Sequence, residues 1–342
     1  METLVSDALG RPLRCLRVSV TDRCNLRCSY CMPADGIPLL ARADLLHFGE
    51  LAALVDAFVA VGVEKVRLTG GEPLIRKEVW RLVEMLAARS AIQDLALTTN
   101  GLLLSQQAAD LFSAGLNRVT VSLDTLQEDR FHKFTRRDGL KQVLEGLNAL
   151  QAVGFSGTKL DTVVIRGFNE DEILDMLQFA KNQNCEIRFI EYMDVAGALQ
   201  WSMEQVVPKS EILRVIEETH GRIEVMDKED WAPAQRFCLA DGTVFGVISS
   251  TTEPFCQTCD RARLTSDGSW LSCLYADEGM NLGQALRAGA THQELVAQIR
   301  SSWSSRDDRG AEKRLEERER GPLCSAQDLN EKPSRGMSAR GG

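Results

Sequence analysis

Between Leu16 and Ile190 the chain alternates short β-branched runs with segments of helical periodicity, six times over, and few folds accept that pattern. Strands are read at Leu16–Val20, Lys65–Leu68, Leu95–Leu97, Arg118–Ser122, Leu160–Ile165 and Glu186–Ile190. Between them, apolar residues recur at i, i+3, i+4 and i+7. The sets are Leu51, Leu54, Val55 and Phe58, then Val79, Leu82, Val83 and Leu86. Leu140, Val143, Leu144 and Leu147 form a third, and Ile173, Met176, Leu177 and Ala180 a fourth. Ser105 is read as the cap of a further helix, and Asn169 with Glu172 as a capping box. Six such units in series imply an α/β fold with a parallel sheet and helices outside. Six strands are too few to close an eight-stranded barrel, so a partial (β/α)6 barrel is expected. Its active face should lie at the C-terminal strand ends.

After about residue 200 the pattern changes. A helix over Glu211–Glu218 precedes short strands around Ile223, at Val244–Ile248 and at Ala262–Thr265, with turns at Asp241-Gly242 and Asp267-Gly268. A helix from about His292 to Trp303 follows. The expected division is a barrel over 1–200, a smaller α+β domain over 201–303 covering its opening, and a tail over 304–342. That tail is charged and poor in apolar residues from Ser304 to Arg320, so it reads as a solvated helix or as disordered.

Chemistry is concentrated in cysteine. Cys24, Cys28 and Cys31 follow the first strand at a C-x3-C-x2-C spacing. Three thiolates on one loop can hold three corners of a [4Fe–4S] cube, which ordinarily takes four. The fourth iron is then open for a ligand. Zinc is the competing reading, but it wants four ligands, and the nearest histidine, His47, is too distant in sequence. A second triplet, Cys256, Cys259 and Cys273, again lacks a fourth partner in register, and zinc is the more serious rival there. Between its last two members Arg261 and Arg263 fall at i and i+2, on one face of a strand, where they can fork phosphate oxygens. Cys15, Cys185 and Cys238 read as small core residues, and Cys324 as a tail thiol.

The net charge of −9 argues against a general nucleic-acid or membrane-surface binder. No run of about 18 apolar residues spans a bilayer, and the acidic N-terminus does not read as a signal peptide. Clustered thiols in such a chain point to a reducing, cytoplasmic setting.

The first cysteine loop, with Tyr30 before its last cysteine, resembles the radical S-adenosylmethionine (SAM) superfamily. The resemblance implies that SAM chelates the open iron and that reduction cleaves it to methionine and a 5′-deoxyadenosyl radical. Thr69-Gly70-Gly71-Glu72-Pro73, otherwise a tight strand-to-helix turn, matches the SAM-binding segment. Gly71, Ser122 and Met193 are then expected beside SAM, with Tyr30.

Both triplets, the Gly-Gly-Glu-Pro segment, Arg-x-Arg and a terminal Gly341-Gly342 together resemble the GTP 3′,8-cyclase family of molybdenum cofactor biosynthesis, a group of lyases. The resemblance implies two [4Fe–4S] clusters, the second binding the guanine of GTP. Positions matching GTP contacts are Arg17, Arg67, Thr98, Lys159, Arg188, Arg261, Ala262 and Arg263. Six of these are cations, a basic pocket inside an acidic protein. The implied reaction removes the ribose 3′ hydrogen, closes C3′ onto C8 of guanine and ends with a one-electron reduction. Gly341 and Gly342 are expected to insert toward the active site. Arg340 stands before them, where relatives are expected to carry an apolar residue. Implied partners are an external one-electron reductant and cyclic pyranopterin monophosphate synthase, the next enzyme; a homodimer is compatible. The alternatives are a radical SAM enzyme acting on a peptide, and a non-catalytic zinc or iron–sulfur module.

Overall fold

The computed structural model describes residues 4–227 and 231–341. Six parallel strands carry the frame: β1 (Cys15–Ser19), β2 (Lys65–Thr69), β3 (Asp94–Thr99), β4 (Arg118–Ser122), β5 (Lys159–Val164) and β6 (Glu186–Glu191). They are neighbours in chain order, each joined to the next by helix, as the alternation requires. β7 (Ile223–Val225), β8 (Gln235–Leu239), β9 (Val244–Ile248), β10 (Arg261–Leu264), β11 (Ser269–Leu271) and β12 (Met280–Asn281) complete the strands. They extend the same sheet from both edges, in the order β12-β11-β10-β1-β2-β3-β4-β5-β6-β9-β8-β7. β10 lies parallel to β1 and β9 parallel to β6, so the C-terminal region grips the open barrel on both sides.

Strand alternation sorts the side chains. On β1, Leu16 and Val18 are fully buried under the helices, while Cys15 and Arg17 face the interior. The helices Phe48–Val59, Val79–Ala87, Leu140–Val153 and Ile173–Asn182 bury the apolar faces expected of them. His47 caps the first: its Nδ1 accepts from Glu50 N at 3.1 Å.

Two expected caps are not formed. The helix Leu104–Ser113 begins before Ser105 and has no side-chain cap. Asn169 is turned away from its helix and donates to Asp124 O (2.8 Å) and Val163 O (2.9 Å). Glu172 accepts instead from Thr125 Oγ1 (2.6 Å) and Leu126 N (2.8 Å). Both residues staple the loop after β4 rather than a helix end, because that loop's buried polar groups have no other partners.

Between Ser304 and Arg320 the tail does form a solvent-accessible helix, Gly310–Leu315, with no buried residue, but Arg306, Arg314 and Arg320 are turned inward. Short helices at Gly310–Leu315, Ala326–Glu331 and Met337–Arg340 wrap back over the strand ends. Asp194, with a fully buried side chain, accepts from Arg314 Nε (2.7 Å), Arg320 Nε and Nη2 (both 2.8 Å) and the Tyr275 hydroxyl (3.0 Å). The tail's charges are used as anchors. Cys324 is buried in a small apolar cluster with Ala196 and Leu329. No helix of the described residues is long and apolar enough to cross a membrane.

Candidate active site

The loops after the strands converge on one cavity of about 1980 Å³, counting the part open to solvent. Both cysteine triplets line it: Cys24, Cys28 and Cys31 from the loop after β1, and Cys256, Cys259 and Cys273 from around β10. The parallel pairing of β1 with β10 brings them together, setting Cys15 opposite Arg261 and Arg17 opposite Arg263.

None of the six cysteines is in a disulfide. Among the described residues, no three His, Cys, Asp or Glu side chains converge as ligands of one metal ion. Three cysteines on each loop, with no fourth in register, fit a cluster with one open iron better than a four-liganded zinc. At the first triplet, burial and neighbouring negative groups oppose ionisation. Burial, then Cys24 and Asp124, push the Cys31 thiol up to about 12, and Cys28 is raised chiefly by burial. Leu26 N donates to Cys24 Sγ at 3.4 Å, a contact that suits a thiolate. A metal bound there would have to offset the cost of ionisation by favouring the thiolates. At the second triplet burial likewise raises Cys256 and Cys273, and only Cys259 differs. Although burial opposes it, Arg261 and Arg306 draw the Cys259 thiol down to about 7, and Arg261 Nη2 lies 3.6 Å from Cys259 Sγ.

Tyr30, Gly71, Ser122 and Met193 line the same cavity. Tyr30 donates to Asp124 Oδ2 at 3.0 Å. Gly71 has a local reason to be glycine: a Cβ there would collide with Arg23 O, since Gly71 N donates to Thr21 O at 2.7 Å. The segment is thus packed onto the start of the cysteine loop. Glu72 fixes it further, accepting from Leu74 N, Thr99 Oγ1 and Asn100 N, while burial lifts its carboxyl to about 7.

Arg17, Thr98, Arg261 and Arg263 also line the cavity. Arg67 lies deeper on the same face, donating to Thr98 Oγ1 (3.1 Å) and Thr120 Oγ1 (3.0 Å). Lys159 opens β5, and Arg188 on β6 pairs with Glu186 at 3.0 Å. Burial and then Arg188 and Arg118 bring Lys159 down to about 8. Burial, with Arg263 and Arg261 next, likewise works against the charge on Arg17. These cations repel one another around the cavity. Ala262 is different: its side chain is fully buried in the core, on the strand face opposite Arg261 and Arg263. The structure therefore does not bring that side chain to the site. Gly341 is buried against Thr69, and its carbonyl accepts from Arg17 Nη1 at 3.4 Å and from Arg263 Nη1. Gly342 lies outside the described residues.

Asp161 was not singled out in the sequence. It lines the cavity from β5, and its Oδ1 is buried without a hydrogen-bond partner. The signal was available: Asp161 follows Lys159 at i+2, on the same strand face. Asp194 and Tyr275 were also missed, since nothing local links residues 81 apart.

The family profile of the radical SAM superfamily matches residues 18–180, and that of Molybdenum Cofactor Synthesis C matches 185–312. GTP 3′,8-cyclase 3 of Mycobacterium bovis is 52% identical over 345 residues, covering 100% of this chain and 91% of the relative. GTP 3′,8-cyclase 1 of Mycobacterium tuberculosis is 52% identical over 342 residues, covering 99% and 95%. The GTP 3′,8-cyclase of Staphylococcus epidermidis is 41% identical over 321 residues, covering 92% and 94%. Among solved structures, Streptococcus suis SuiB superimposes with a TM-score of 0.60 at 15% identity, covering 85% of this chain and 68% of that one. The tagged form of anSMEcpe with bound AdoMet gives 0.53 at 15% identity, covering 82% and 79%. Such distant likeness speaks for the fold alone, so a peptide-acting reading gains nothing from it. Identity over the whole chain, the two profiles in series and the shared cavity give one conclusion: the chain belongs to the radical SAM superfamily and, within it, to the GTP 3′,8-cyclase family.

Proposed function

We propose that the chain converts GTP to 3′,8-cyclo-7,8-dihydro-GTP in the first step of molybdenum cofactor biosynthesis. The observation that carries this reading is the single cavity onto which both cysteine triplets and three arginines open. Cys24, Cys28 and Cys31 would hold one [4Fe–4S] cluster, and Cys256, Cys259 and Cys273 a second. Tyr30, Gly71, Ser122 and Met193 would flank SAM. Bound there, cluster and SAM supply the one-electron chemistry that takes a hydrogen from the GTP ribose.

The chain's own share is placement and shielding. Arg17, Arg261 and Arg263 present forked donors at the cavity wall, with Arg67, Lys159 and Arg188 deeper. Glu186 and Asp161 offset only part of this positive charge, so a triphosphate both fits and relieves the remainder. Ala262 can contribute only through its main chain. The tail closes over the strand ends and keeps water from the reacting atoms. In this reading residues 1–200 form the SAM-binding barrel, 201–303 bear the second cluster, and 304–342 are the closing strap. An external one-electron donor and a downstream cyclic pyranopterin monophosphate synthase complete the cytoplasmic setting.

The test is anaerobic reconstitution with iron and sulfide, then incubation with SAM, dithionite and GTP. The cyclised nucleotide and 5′-deoxyadenosine should form together. SAM cleavage with intact GTP would contradict the assignment.

A further inference from the structure

The second cysteine triplet rests on a buried charged cradle with no part in the reading above. Arg11 and Arg306 are only 1% and 5% exposed. Both are paired to Asp7, itself fully buried: Arg11 Nε lies 2.6 Å and Arg306 Nη1 3.1 Å from Asp7 Oδ2. Each guanidinium also donates to the main chain of a cluster cysteine. Arg11 Nη1 reaches Cys256 O at 2.8 Å, and Arg306 Nη1 reaches Cys259 O at 3.0 Å. Trp303 backs the pair, donating to Arg11 O at 3.1 Å with its ring 4.4 Å from the Arg306 guanidinium. Segments from the two ends of the chain thus meet under one cysteine turn.

The charges do not cancel. Arg11, Arg306, Arg261, Arg263 and Arg340 carry five positive charges around the triplet. Asp7, Asp260, the half-buried Asp308, 3.4 Å from Arg306 Nε, and Glu312 near Cys256 carry four negative ones. Buried donors also go unused: Arg11 Nη2 and Arg306 Nε have no hydrogen-bond partner. Buried guanidinium donors left over after the pairing with Asp7 are costly unless a further acceptor sits nearby. A cluster on three thiolates is such an acceptor, and positive surroundings favour its reduced, more negative form. The first triplet instead faces the buried carboxylates Glu72 and Asp124.

We propose that Asp7, Arg11 and Arg306 form a positioning triad that holds the Cys256–Cys259 turn in its binding shape and makes the second cluster easier to reduce. This rests on the reading that the second triplet holds a cluster.

The test uses the full-length chain, reconstituted anaerobically, as wild type, Arg306→Gln and Arg306→Lys. Iron is counted per chain. The second cluster's midpoint potential is followed by spectroscopic titration in a background with Cys24, Cys28 and Cys31 changed to Ala. Wild type should hold about eight irons. Arg306→Gln should either shift the second cluster to a more negative potential or drop the count to about four with the first cluster retained. Arg306→Lys should restore most of the potential. About eight irons and an unchanged potential in Arg306→Gln would overturn the triad alone. Loss of both clusters together in both Arg306 variants would also overturn it, marking a general folding role. A wild type with only about four irons would overturn the two-cluster reading and the triad with it.

Discussion

Arg17 on β1 and Arg263 on β10 stand opposite one another in the parallel ladder, and both guanidinium groups donate to the carbonyl of Gly341. Arg263 Nη1 also donates to Arg340 O at 2.9 Å. The last turn of the chain is thereby held by two arginines of the cavity wall. Arg340 does not loosen it: its side chain is buried, with Nη1 donating to Leu274 O at 2.7 Å and Nε to Ser334 O at 3.1 Å.

Gly341→Ala should impair turnover while leaving both clusters in place. Gly341 has φ +71°, a region costly for other residues, and a Cβ there would strike Thr69 Oγ1. A fall in kcat of about tenfold or more is expected, corresponding to about 1.4 kcal/mol, with unchanged iron content. Wild-type turnover in this variant would remove the tail end from the mechanism.

Arg263→Ala should weaken GTP binding without loss of iron. A charge-assisted hydrogen bond contributes about 1.5–3 kcal/mol, so Kd should rise about 10- to 100-fold. Equilibrium binding of GTP to the reconstituted protein measures this. Equal affinity in the variant would count against a phosphate role.

GTP affinity should fall as pH rises above 8. Burial, with Arg188 and Arg118, brings Lys159 down to about 8, so its attraction for an anion is complete below that pH and lost above it. Lys159→Arg keeps its charge, so its affinity should stay flat between pH 7 and 9. Parallel pH profiles for the two proteins would rule Lys159 out as the cause.

Asp194→Ala should unfasten the tail. The change strands Arg314 and Arg320, whose side chains are only 14% and 6% exposed, and breaking buried pairs of this kind costs about 3–5 kcal/mol. Proteolysis after Arg314 or Arg320 should accelerate, and the thermal midpoint should drop. In the wild type, burial raises the Asp194 pKa, but Arg320 and Arg314 outweigh it and leave the value lowered. Its contribution to stability is therefore present at neutral pH and lost as pH falls below the ordinary carboxylate range. A tail equally resistant to protease in the variant would refute the anchor.

The six strands and the two triplets were legible because each depends on residues close in sequence: strand alternation, helical spacing and the C-x3-C-x2-C run. Arg17, Arg67 and Lys159 rest on the resemblance alone, and strand parity speaks only for Arg261 and Arg263. Ala262 shows the limit of that route, since parity alone turns its side chain into the core. The contacts Asp194–Arg320, Arg11–Cys256 and Asp7–Arg306 were not legible, because the partners lie 126, 245 and 299 residues apart, whereas the Asp7–Arg11 pair spans only four. The solvent-accessible helix of the tail was legible, but its anchors Arg314 and Arg320 were not, for the same reason. A run of charges reads as solvated until the buried carboxylate that receives it is known.

The central claim is that SAM and GTP react within one cavity walled by both triplets. The most direct measurement is the mass of 5′-deoxyadenosine formed when the reconstituted chain turns over GTP deuterated at C3′. Transfer of one deuterium into that product is expected, alongside the cyclised nucleotide; 5′-deoxyadenosine free of label under the same turnover would contradict it.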